Sequence, residues 1–83
     1  MKEMDCVEVI VEKEHYVKYG VHKGMQGWIC HDAFVNGTWL VNFPQWGENA
    51  DIAEISVKEV DLKLIPCMDA RINEQIRAQY DTK

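Results

Sequence analysis

The dipeptide Asn36-Gly37, followed at once by Thr38-Trp39-Leu40-Val41-Asn42-Phe43, constrains this chain more than any other feature. Asn-Gly favours a type I′ turn, whose backbone twist matches that of the antiparallel strands it joins. The run after it puts Trp39, Val41 and Phe43 on one face of a strand. A second segment, Cys6 to Glu12, reads Cys-Val-Glu-Val-Ile-Val-Glu and sets Val7, Val9 and Val11 on one face. Its β-branched density suits a pleated, half-buried surface. Two such segments in 83 residues demand a shared interior, and a chain this short supports only one core.

The remaining elements follow in order. Lys13 to Val21 reads as a polar loop dotted with Tyr16 and Tyr19, and Gly24-Met25-Gln26-Gly27 as a tight glycine turn. Trp28 to His31, extending toward Phe34, is expected as the second strand. Pro44 ends the third. Residues 44–51 form a loop carrying Trp46. A fourth strand is expected from Ile52 to Val57, one helical turn over Lys58 to Asp61, and a short fifth strand from Leu62 to Ile65. Beyond Pro66, Asp69 is placed to cap a helix whose Ile72, Ile76 and Tyr80 recur every four residues as an apolar stripe. The stripe either docks on the chain's own strands or offers a sticky face to a partner. The expected architecture is mainly β: a five-stranded barrel over residues 1–65, with residues 66–83 adding a short C-terminal amphipathic helix to the same domain.

The order of these motifs resembles small SH3-like β-barrels. Gly24-Met25-Gln26-Gly27-Trp28-Ile29 is similar to the glycine turn of KOW-type modules and of uncharacterised bacterial SH3-like families. Ile55-Ser56-Val57-Lys58-Glu59-Val60-Asp61-Leu62-Lys63-Leu64-Ile65 is similar to the strand, helical turn and closing strand that end such barrels. The resemblance implies a fold and, through KOW modules, raises a nucleic-acid or ribosome-associated role. KOW modules that bind RNA are generally basic, whereas this chain carries a formal charge of −5.

Charge narrows the functional classes. The acidity concentrates in residues 44–65, around Glu48, Asp51, Glu54, Glu59 and Asp61. Such a surface repels a phosphate backbone and attracts a basic protein. Lys13, Lys18 and Lys23 offer a local cationic patch as the rival, nucleic-acid reading. Three widely spaced cysteines, Cys6, Cys30 and Cys67, do not form a disulfide framework. No apolar run is long enough to span a bilayer, and the charged N-terminal segment lacks the apolar stretch of a signal peptide. A cytoplasmic location is expected.

No metal or cofactor site is expected: Cys30 and His31 point to opposite faces of a strand, and no second pair of ligands is suitably spaced. Ser56 is the only serine and has no histidine near it in sequence, so a nucleophilic triad is not in view. The leading expectation is a non-catalytic module that binds another protein. A KOW-like nucleic-acid or ribosome-associated module is the rival, and a small enzyme or metal protein, which would need Cys30 or the histidines, is the least favoured class. The protein-binding module's expected anchors are the loop aromatics Tyr16, Tyr19 and Trp46, with Glu48, Asp51 and Glu54 as an acidic rim. Its sharper form is an inhibitor or immunity protein that neutralises a basic toxin partner.

Overall fold

A computed structural model describes residues 1–30, 35–45 and 51–81. Five strands, β1 (Cys6–Val9), β2 (Gln26–Ile29), β3 (Thr38–Phe43), β4 (Ala53–Lys58) and β5 (Leu62–Leu64), form one sheet in the order β4-β3-β2-β1-β5. Every neighbouring pair is antiparallel, and the sheet curls into a half-barrel. A four-residue helix, α1 (Glu14–Val17), lies between β1 and β2, and a 3-10 turn, Glu59–Asp61, joins β4 to β5. The C-terminal helix α2 spans Ala70–Asp81.

Local chemistry accounts for most of these boundaries. Asn36 and Gly37 have φ of 53° and 76°, and Val35 and Thr38 exchange backbone hydrogen bonds around them, which is the hairpin expected from Asn-Gly. Asp69 caps α2, its Oδ1 accepting from the Arg71 backbone N–H at 2.9 Å. Gly27, expected in the turn, lies inside β2, and β2 begins at Gln26. A Cβ at Gly27 would stand 2.1 Å from the Asn42 carbonyl oxygen, so this glycine lets β2 and β3 approach closely. Gly24, with φ of 91°, makes the turn before it. The expected extension of the second strand through His31 toward Phe34 lies outside the described residues.

The core gathers on the concave face. Val7 and Val9, Ile29, Val41 and Phe43, and Val57 are fully buried, each contributing roughly 1.5–3 kcal/mol for the larger side chains. Trp39 joins them and donates its indole N–H to Glu59 Oε1 at 3.1 Å. The β1–β2 connection closes the open side with Tyr16, Val21 and Met25.

The helix α2 docks on its own sheet. Ile76 packs against the core, and Asn73 is 0% exposed. Pairing of Trp28 with Asn42 would bring Gln26 opposite Pro44, but proline has no N–H to continue the ladder. Asn73 fills that break: Oδ1 accepts from Gln26 N at 2.7 Å, and Nδ2 donates to Gln26 O at 2.7 Å and to Pro44 O at 2.9 Å. At the far end of the helix, Tyr80 stacks on His22, with ring centroids 3.6 Å apart.

Candidate functional site

The β1–β2 connection and β4 bring the candidate residues together, and they sort sharply into internal and external groups. Tyr16 is internal. It is 2% exposed, its hydroxyl donates to Asp61 Oδ2 at 2.6 Å and accepts from Lys58 N at 3.1 Å. The expectation of Tyr16 as a surface anchor is therefore corrected: its buried hydroxyl ties the α1 segment to the last residue of β4 and to the 3-10 turn that follows it. Lys13 Nζ lies 2.8 Å from the same Asp61 oxygen. Burial pulls the Asp61 carboxyl upward, but hydrogen bonds from Lys13 and Tyr16, with the charges of Lys13 and Lys58, outweigh it and hold the group below the usual carboxylate range. Burial, then the Asp61 carboxylate, raises the Tyr16 hydroxyl.

Tyr19 is external, 50% exposed, with Lys18 Nζ 5.2 Å from its ring centroid. Two shallow grooves meet at Tyr19. One, of about 320 Å³, is lined by Gly20, His22, Gln45, Asp51, Ile52 and Arg77 as well. The other, of about 370 Å³, is lined also by His15, Leu40, Glu54, Ile55 and Ser56. Tyr19, Asp51 and Glu54 are thus brought to one side of the molecule. Trp46 and Glu48 lie outside the described residues.

The carboxylates are held by neutral groups. Asp51 Oδ2 accepts from Asn42 Nδ2 at 2.7 Å, and Glu54 stands directly across from Asn42 on β4. Cys30 lies on the same outward face. Its burial, followed by the charge and hydrogen bond of Glu54, pushes its thiol up to about 11. Neither Asp51 nor Glu54 has a cationic partner within salt-bridge distance among the described residues. Lys13, by contrast, pairs with Asp61, and Lys18 lies over the Tyr19 ring.

Leu40, Ser56, His15 and His22 also line these grooves, although none of them is among the residues expected to form a binding face. Strand alternation would have placed Leu40 and Ser56 beside Glu54's face, since Ser56 pairs with Leu40 as Glu54 does with Asn42. Nothing local marks His22, whose Nδ1 lies 2.7 Å from Glu12 Oε2 and whose ring is covered by a helix nearly sixty positions on. Among the described residues, no group of three His, Cys, Asp or Glu side chains could hold a metal ion, and no helix is long and apolar enough to cross a membrane. No family model, curated protein or solved structure matches the chain.

Proposed function

We propose that this chain is a non-catalytic module, built on an SH3-like barrel, that binds another protein through the face formed by Tyr19, Asp51 and Glu54. One observation carries the reading: a half-exposed tyrosine sits where two grooves meet, flanked by carboxylates with no cation of their own among the described residues. An exposed aromatic supplies contact area at low entropic cost, and uncompensated acids favour a basic partner surface. A thiol held up to about 11 is not a nucleophile at neutral pH, which argues against Cys30 chemistry. The sharper form is an inhibitor whose carboxylates occupy the phosphate-binding surface of a basic enzyme such as a nuclease toxin.

The test compares proteins that co-purify with the wild-type chain and with Tyr19→Ala. A partner of basic surface charge should be retained by the wild type, released as salt rises, and lost with Tyr19→Ala. Retention of RNA in a filter assay at about 50 mM salt, with no protein partner, would overturn the reading in favour of nucleic acid.

A further inference from the structure

We propose that the outer edge of β4 is a docking edge, at which an extended basic segment of the partner adds as a further strand. Its backbone pairs with Glu54 and Ser56, and its Lys or Arg side chains meet Glu54 and Asp51. The inference rests on the protein-binding reading above and gives it a mode.

The register supplies the first argument. Glu59 N donates to Gly37 O at 2.9 Å, and antiparallel pairing alternates from there. Val57, Ile55 and Ala53 therefore turn their amide groups toward β3, while Lys58, Ser56 and Glu54 turn theirs away from the sheet. Lys58 obeys the pattern, its N–H bonding outward to the Tyr16 hydroxyl. The backbone groups of Ser56 and Glu54 have no such partner among the described residues. Tyr16 thus covers one end of the edge and stops short of the rest.

The surroundings suit an extended chain. Tyr19 and His15 wall the groove on the α1 side, and Leu40 and Ile55 contribute apolar surface to it. Exposed strand edges are ordinarily blunted by proline, by shortness, by a covering element or by charged side chains such as Glu54, whose charge a basic segment neutralises. Over Glu54 to Ser56, β4 contains no proline, and it is six residues long. The opposite edge, β5, has only three residues, and its Lys63 already lies 3.6 Å from Glu8.

Charge selects the occupant. Glu54 and Asp51 are exposed, and residues 44–65 carry a formal −3 within a chain of −5. A second copy would bring this acidity against itself, whereas a basic strand would place cations on Glu54's face at ordinary cross-strand spacing. Main-chain bonds then give affinity, and alternate side chains give selectivity.

The probe is the synthetic peptide acetyl-Arg-Val-Arg-Val-Arg-amide, compared with a copy N-methylated at its central residues and with the Glu-for-Arg peptide. Amide hydrogen exchange of the full chain is followed by NMR. The arginine peptide should slow exchange at Glu54 and Ser56 by about tenfold or more at saturation, as a newly formed backbone bond requires. The N-methylated peptide should bind at least about fivefold more weakly, because methylation removes donors while keeping charge. Glu54→Gln should weaken the arginine peptide and leave the fold unchanged. Equal binding of the two arginine peptides, or protection away from β4, overturns the inference. So does protection of Glu54 and Ser56 that appears without peptide and grows with protein concentration, which would mark a second copy as the occupant. Ser56→Pro separates this inference from the reading beneath it: if the variant keeps a partner that Tyr19→Ala loses, strand addition fails and the binding face stands.

Discussion

The side-chain amide of Asn73 pairs with the main chain of Gln26 as a strand would, accepting from its N–H and donating to its C=O, each at 2.7 Å. It stands in for the donor that Pro44 cannot supply. Asn73→Ala strands the part-buried Gln26 N–H and C=O and the buried Pro44 C=O, at a cost of about 2–4 kcal/mol by urea titration. Asn73→Asp should be no better, because it keeps the acceptor for Gln26 N but sets a carboxylate against two carbonyl oxygens.

Tyr16→Phe keeps the ring in the core and removes the hydroxyl shared by Asp61 and Lys58 N. A loss of about 1–2 kcal/mol is expected. Tyr16→Phe should leave partner binding intact once the protein is folded, unlike Tyr19→Ala, and the two are distinguished by pairing a stability curve with a binding measurement.

Acid should unfold the domain through two carboxylates. Both Asp61 and Glu12 titrate below their ordinary values when folded; in Glu12 burial is outweighed by the hydrogen bond and charge of His22 and by the Lys23 backbone N–H. A depressed folded value means stabilisation that is fully present above the unfolded value, about pH 4, and is lost as pH falls through the folded value. Midpoints in urea should hold steady from about pH 7 to 5 and drop below about pH 4. Asp61→Asn should flatten the drop and lower the neutral-pH plateau.

Thiol labelling at pH 8 should separate the cysteines. Cys67 is exposed, whereas Cys30 is half-buried with its thiol pushed up to about 11 by burial and by Glu54. An alkylating reagent followed by mass spectrometry should modify Cys67 first and Cys30 last. Glu54→Gln should accelerate Cys30; an unchanged rate would show that the carboxylate has no hold on it.

Three glycines should rank by mechanism. Gly27→Ala drives a methyl into the Asn42 carbonyl and should cost at least about 3 kcal/mol. Gly24→Ala must hold a φ of 91° and meet Ile76 Cδ1 at 3.1 Å, so it should cost less, about 1–2 kcal/mol. Gly37→Ala, with open space around it, should cost the least, about 1 kcal/mol. Thermal midpoints in that order check the assignment.

Legibility in the sequence followed the range of the forces at work. Asn36-Gly37, the inward face of β3 and the Asp69 cap could be read because each depends on neighbours within a few positions. Tyr16 could not. In a polar loop it resembles Tyr19, and the two are separated only by what lies opposite: the Asp61 carboxylate and the Lys58 backbone N–H in one case, solvent in the other. Asn73 failed in the same way, since a polar residue on an amphipathic helix reads as solvent-facing until a proline-broken ladder is found beneath it.

By itself, then, the chain's alternation and turn chemistry determined that it is mainly β, with five strands and a terminal helix, because φ/ψ preference and side-chain period act locally. Tertiary structure alone decided which tyrosine is buried, why Asn73 is inside, and that β4 ends the sheet with Glu54 and Ser56 facing outward. Those outcomes depend on register and on contacts between residues more than forty positions apart, and no local preference encodes them.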